Sequence, residues 1–126
     1  MNIIVSKHSG FCFGVKRAVD MVLEEAGQNN GCVYTLGPII HNSFVVDELA
    51  AKGVAAIDSV SDIENGVLVI RSHGVGEEVY RQAEEKGLRI VDATCPYVKK
   101  IHRLVNEYSG KGYTTVIIGK AEHPEV

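Results

Sequence analysis

Two cysteines, Cys12 and Cys95, stand where an apolar, strand-like segment gives way to an amphipathic helix. Their runs are His8-Ser9-Gly10-Phe11-Cys12-Phe13-Gly14-Val15-Lys16-Arg17 and Val91-Asp92-Ala93-Thr94-Cys95-Pro96-Tyr97. A sulfur beside the first turn of a helix lies near unpaired backbone N–H groups and the positive end of the helix dipole, a place that favours thiolate. Thiolates bind soft metals. A cysteine in an α/β protein is often only a small core hydrophobe. Here the flanks favour chelation: Gly10 and Gly14 let the backbone turn and come close to a bulky group, and Thr94-Cys95-Pro96 sets a sulfur at a helix start. Cys32 directly precedes a strand-like run and has no glycine turn. It is assigned to the opposite edge, with a structural role.

Histidines supply the second chemistry. His41, His73 and His123 each follow a strand-like segment and precede a helix or turn, beside Gly37-Pro38, Gly74 and Pro124 respectively. Three imidazoles near helix N-termini suit a phosphate or diphosphate. Zinc ligation with a cysteine is the weaker alternative, because tight zinc sites usually show close pairs such as C-x-x-C and none is present. Glu125 is the carboxylate on this edge suited to donate a proton, although a solvated residue fits its spacing equally well. His102, on the last helix, reads as a solvated or satisfied imidazole, and His8 stays open. Gly74-Val75-Gly76 is too short for a dinucleotide-binding loop.

The elements that must position these groups are short and alternate in type. Ile3–Ser6, Val33–Leu36, Val54–Ile57, Val67–Ile70, Leu88–Val91 and Thr114–Ile118 read as strands. Several are continuous apolar runs, the mark of strands covered on both faces, so an α/β fold with a parallel sheet flanked by helices is expected. Val15, Ala18, Val19, Val22, Leu23 and Ala26 form a helical stripe ending near Gly27, and Tyr97, Val98, Ile101, Leu104, Val105 and Tyr108 form another after Pro96, with Gly110 as its stop. Asn42 or Ser43 caps a helix through Ala50 to Gly53, Glu77–Lys86 makes a helix ending at Gly87, and Ser59–Asn65 makes a short helical turn. In such sheets ligands gather at the carboxyl ends of the strands, and Cys12, His41, His73, Cys95 and His123 all fall there.

Composition limits the partners. The 126 residues are 45% hydrophobic and 23% charged, with net charge -3 and no basic tract, which gives no electrostatic footprint for nucleic acid. No apolar run approaches the roughly 18 residues of a membrane span, and the opening Met1–Lys7 lacks a signal-peptide layout. A cytoplasmic protein is expected, and in a reducing compartment three irregularly spaced cysteines favour metal binding or catalysis over a disulfide.

Together the segments resemble the N-terminal part of the LytB family, the 4-hydroxy-3-methylbut-2-enyl diphosphate reductases of the non-mevalonate isoprenoid pathway. The resemblance is carried by His8–Val15, Leu36-Gly37-Pro38-Ile39-Ile40-His41-Asn42, Arg71-Ser72-His73-Gly74-Val75, Asp92-Ala93-Thr94-Cys95-Pro96 and His123-Pro124-Glu125-Val126, in family order along the whole chain. It implies a 4Fe-4S cluster held by three cysteines, two of them Cys12 and Cys95. It further implies that His41, His73 and His123 hold an allylic diphosphate, that Glu125 supplies protons, and that a ferredoxin or flavodoxin supplies electrons. The products would be isopentenyl and dimethylallyl diphosphate. The family builds three similar α/β units around the cluster. By that analogy residues 1–96 form the first unit, 97–126 begin the second, and the strand within 1–8 joins the sheet of the third, which is absent here. The third cysteine ligand lies beyond residue 126 in the family, so the chain is expected to be an inactive fragment that holds no intact cluster.

Two other functions compete. A non-catalytic anion (diphosphate)-binding module would keep the histidine edge without a metal. A thiol oxidoreductase would need Cys12 and Cys95 to pair and ranks last, since no C-x-x-C exists.

Overall fold

The computed structural model describes residues 1–28, 31–121, 123 and 125. Pro124 and Val126 of the His123–Val126 motif lie outside the described residues. The elements run α1 (Phe13–Gly27), β1 (Val33–Leu36), α2 (Ser43–Ala50), β2 (Val54–Ile57), a 3-10 turn (Val60–Asp62), β3 (Val67–Ile70), α3 (Glu77–Glu85), β4 (Arg89–Asp92) and α4 (Pro96–Gly110).

All four strands are parallel, in the order β2-β1-β3-β4. The central β3 is buried at every residue, because helices cover both of its faces, which is why it reads as an unbroken apolar run. Alternation divides the sheet between two cores. Val33, Val67 and Val69 face Ala18 and Val22 of α1 and Val45 and Leu49 of α2. Leu68 and Ile70 face Val60, Ile63 and Ala83 on the side of α3 and the 3-10 turn. The expected α/β architecture is therefore present, with α1 and α2 on one face and α3 on the other.

The helix boundaries follow local chemistry. Asn42 caps α2, its side chain accepting from the Val45 amide at 3.3 Å. Ser59 and Asp62 form a reciprocal capping box around the 3-10 turn. Arg89 from β4 pairs with Glu25 of α1, tying a helix to the sheet where the Glu25 side chain is only 11% exposed.

Three expectations need correction. Ile3–Ser6 and Thr114–Ile118 form no strand, and Ile4 and Ile118 are nearly fully exposed. Both runs have strand-like residue types, but β propensity yields a strand only where a neighbour completes the ladder, and neither pairs with this sheet. Cys12 and His123 accordingly follow irregular segments rather than strands. The last of the four paired strands is shifted by one residue, to Arg89–Asp92, because Leu88 is drawn into the core on the α3 side. Finally, the apolar stripe of α4 is largely bare: Val98 is buried, whereas Tyr97, Ile101, Leu104 and Tyr108 are exposed.

Candidate functional site

The sheet order creates the site. From β1 the chain turns to β2 on one side, then crosses back to β3 on the other, so β1 and β3 are neighbours whose connections leave in opposite directions. The carboxyl ends of two such strands border a crevice that neither connection fills. His41 lies in the loop after β1 and His73 in the loop after β3, and their ring centroids are 5.2 Å apart. His123 meets His73 edge-on, with centroids 6.4 Å apart. The three histidines thus form one cluster with His73 at its centre.

Hydrogen bonds set the roles of the rings. The Glu125 amide donates to His123 Nδ1 at 3.2 Å. A neutral imidazole that accepts at Nδ1 carries its proton on Nε2, free to donate to an oxygen. His73 Nδ1 is buried and has no partner. Burial is the main reason that His73 titrates below the usual histidine value; His41, Arg71 and His123 push the same way, and the Glu125 carboxylate opposes them. A half-buried imidazole with an orphaned nitrogen suits a ligand that brings its own hydrogen-bonding atoms.

Two cavities meet at His73. One, of about 280 Å³, lies between Phe11, Val15, His41, Asn42, Ser72 and His73. The other, of about 640 Å³, is bordered by Arg71, His73, Gly74, His102, Asn106 and Glu125. Glu125 therefore stands in the same cleft as His73. So does His102, which stays exposed at the rim, in keeping with a solvated imidazole. Gly74 explains this position: with φ +80° it carries the His73 loop so close to α4 that a Cβ there would lie 3.0 Å from His102 Cε1. Arg71 is a residue that the sequence reading missed. Its Nε is buried without a partner, and the signal available was a cation two residues before a candidate anion-binding histidine.

The cysteines cap the two helices as expected, Cys12 at α1 and Cys95 at α4, and neither side chain makes a capping hydrogen bond. Their sulfurs are uncommitted. Cys12 is exposed between the exposed rings of Phe11 and Phe13, and Cys95 is half-buried. Gly14 brings the two ends together: a Cβ on it would stand 2.6 Å from Cys95 Sγ. Among the described residues no three His, Cys, Asp or Glu side chains are arranged to hold a metal ion. The chain thus offers two thiol corners with an apolar surround, chemistry that fits part of an iron–sulfur ligand set. Cys32 lies away from them, at the entrance of β1, where its carbonyl accepts from Val67 at 3.0 Å.

The turn that carries Cys95 is tied to the histidine loop. The Cys95 amide donates to the Ser72 carbonyl at 2.9 Å, one peptide from His73. Asp92 closes the turn by accepting from the Thr94 amide at 2.9 Å. Burial pushes the Asp92 carboxyl up, but Lys99 and Thr94 prevail and hold it below the usual range.

The fold is thus a parallel α/β sheet with helices on both faces, with the start of α1 packed against the Cys95 sulfur and an imidazole cluster after β1 and β3. The chain belongs to the LytB protein family, whose pattern matches residues 3–126. It is 49% identical to the 4-hydroxy-3-methylbut-2-enyl diphosphate reductase of Clostridioides difficile (strain 630), aligning over 100% of this chain and 46% of the relative. The corresponding protein of Alkaliphilus oremlandii (strain OhILAs) is 47% identical over the same shares. A solved structure described as (E)-4-hydroxy-3-methyl-but-2-enyl diphosphate reductase, the terminal enzyme of the non-mevalonate pathway, superposes with a TM-score of 0.85 at 44% identity. That match covers 98% of this chain and 44% of the other. The Plasmodium falciparum structure of E-1-hydroxy-2-methyl-but-2-enyl-4-diphosphate reductase superposes with a TM-score of 0.90 at 32% identity, covering 94% and 38%. The chain spans just under half the length of these curated relatives. Among the described residues no helix is long and apolar enough to cross a membrane.

Proposed function

We propose that this chain supplies the N-terminal part of a 4-hydroxy-3-methylbut-2-enyl diphosphate reductase, with Cys12 and Cys95 as two of three cysteine ligands of a 4Fe-4S cluster. The observation that carries this reading is convergence on one sheet edge: Gly14 abuts the Cys95 sulfur, and the Cys95 turn is bonded to the loop that bears His73. When bound, the cluster would supply the electrons of a reductive dehydroxylation. The balance is two electrons and two protons in, a C–O bond replaced by C–H, and water out.

The chain's own residues bind and protonate. His41, His73 and His123 face an allylic diphosphate as hydrogen-bond donors, with Nε2–H of His123 directed by the contact at its Nδ1. Glu125, beside His73 in the larger cleft, is the proton source. A ferredoxin or flavodoxin delivers the electrons. Residues 1–96 form the first α/β unit and 97–126 begin the second, while the N-terminal run joins a third unit's sheet. The bare apolar surfaces of Ile3–Val5, α4 and Val116–Ile118 support that division, since each carries side chains of a type normally covered.

The test is anaerobic reconstitution with iron and sulfide of the chain extended to the length of its relatives, read by absorption and Mössbauer spectroscopy and by turnover. A brown, active protein whose colour is lost in Cys12→Ser and kept in Cys32→Ser is expected. Diphosphate binding with no cluster and no turnover would instead favour an anion-binding module. The 126-residue chain alone is expected to hold no intact cluster.

A further inference from the structure

The backbone N–H and C=O groups of Thr94 and Cys95 all have partners. The Cys95 amide donates to Ser72 O at 2.9 Å, and its carbonyl accepts from the Lys99 amide at 3.0 Å, the first turn of α4. The Thr94 carbonyl accepts from Arg17 Nη1 of α1 at 3.4 Å. The Thr94 amide donates to Asp92 Oδ1 at 2.9 Å. Two of these four partners are backbone, and Arg17 makes the longest contact. Asp92 is the close side-chain partner.

The other oxygen of Asp92 is held as firmly. Oδ2 accepts from the Tyr80 hydroxyl of α3 at 3.1 Å and lies 2.5 Å from Lys99 Nζ of α4. The carboxylate, at the end of β4, is therefore held by residues of two helices, and its other oxygen receives the Thr94 amide. Pro96 locks the next step, because the residue before a proline is confined to extended backbone, and Cys95 has φ -56° and ψ 131°. The backbone from Asp92 to Cys95 is thus held by these contacts, which fixes the point from which the Cys95 side chain starts.

We propose that Asp92, clamped by Tyr80 and Lys99, is a positioning residue for Cys95, setting where its sulfur stands as a cluster ligand. This rests on the cluster reading above. Groups hydrogen-bonded to a metal ligand typically change metal affinity by about 10- to 100-fold when removed; Asp92 acts one residue further out, through the Thr94 amide, so the lower end of that range applies.

The experiment compares Asp92→Ala, Asp92→Asn, Lys99→Met and Cys95→Ser in the anaerobically reconstituted protein, extended as above. It reads iron retained against a chelator and the Mössbauer or electron-resonance signature, with alkylation of Cys95 relative to Cys12 measured in the metal-free protein. Asp92→Ala is expected to lower iron retention by about 10-fold, to alter the signature, and to speed Cys95 alkylation. Asp92→Asn, which keeps an acceptor for the Thr94 amide, should recover much of the retention. Lys99→Met leaves the turn itself intact and serves if Asp92→Ala fails to fold; it should shift the signature in the same sense, less far. Parent-like retention, signature and alkylation in Asp92→Ala and Lys99→Met, while Cys95→Ser loses the cluster, would overturn the positioning role and leave the cluster reading standing. Retention of the cluster by Cys95→Ser would overturn that reading itself.

Discussion

A methyl group on Gly14 would stand 2.6 Å from the sulfur of Cys95. No ordinary Cβ contact is so short, so glycine at this position sets how closely the start of α1 approaches the start of α4. An alanine in the first turn of a helix would otherwise be favourable by about 1 kcal/mol, and steric conflict is expected to reverse that sign. Gly14→Ala should destabilise by about 1–3 kcal/mol, as small-to-large changes at packed sites do. Urea denaturation of the metal-free chain measures this, and a midpoint equal to or above the parent's would show that the two helix ends separate without cost.

Acid should weaken the fold through His73. Its folded-state pKa is lowered, chiefly by burial, so the unfolded chain binds a proton more readily. The stabilising contribution is complete above the ordinary value of about 6.5 and is lost as pH falls through the depressed folded-state pKa. Denaturation midpoints from pH 8 to 5 should fall, and fall less in His73→Gln. Removing one of the cations that push the same way, by Arg71→Gln, should raise the His73 titration midpoint in ring proton spectra.

Asn42 links capping to the site. Its side chain holds the Val45 amide while its neighbour His41 faces His73. Asn42→Ala should cost about 1 kcal/mol and Asn42→Asp much less. A chemical-shift change at the His41 ring in the alanine variant, absent in the aspartate variant, would tie cap to imidazole; unmoved His41 signals in both would separate them.

Glu25 is 9% exposed and Arg89 covers it. Arg89→Met leaves a buried carboxylate without its cation, and the expected loss is about 1–2 kcal/mol after allowing for screening at the half-exposed guanidinium. A double-mutant cycle with Glu25→Gln measures the coupling; additive losses would show that the pair contributes nothing.

Much of the fold was readable because it is local. Strand segments, the stripe of α1, the Asn42 cap and the placing of Cys12 and Cys95 at helix starts depend on residue type and spacing within a dozen positions. The runs Ile3–Ser6 and Thr114–Ile118 failed as strands, and the stripe of α4 failed as buried surface, for a shared reason. Each pattern states what a segment could bury or pair with and contains nothing about whether a partner is present. His102 remains exposed, as a solvated imidazole would, although the left-handed turn at Gly74 brings the His73 loop beside it.

The sequence by itself determined that this chain is α/β, that His41, His73 and Cys95 follow strands, and which family it resembles. Tertiary structure alone decided that β1 and β3 are neighbours with oppositely directed connections, and hence that His41 and His73 face one another. Residues far apart along the chain acquire a mutual distance only when the sheet order is chosen. That choice is made by burying both faces of β3 at once, a property of the whole assembly and of no single segment.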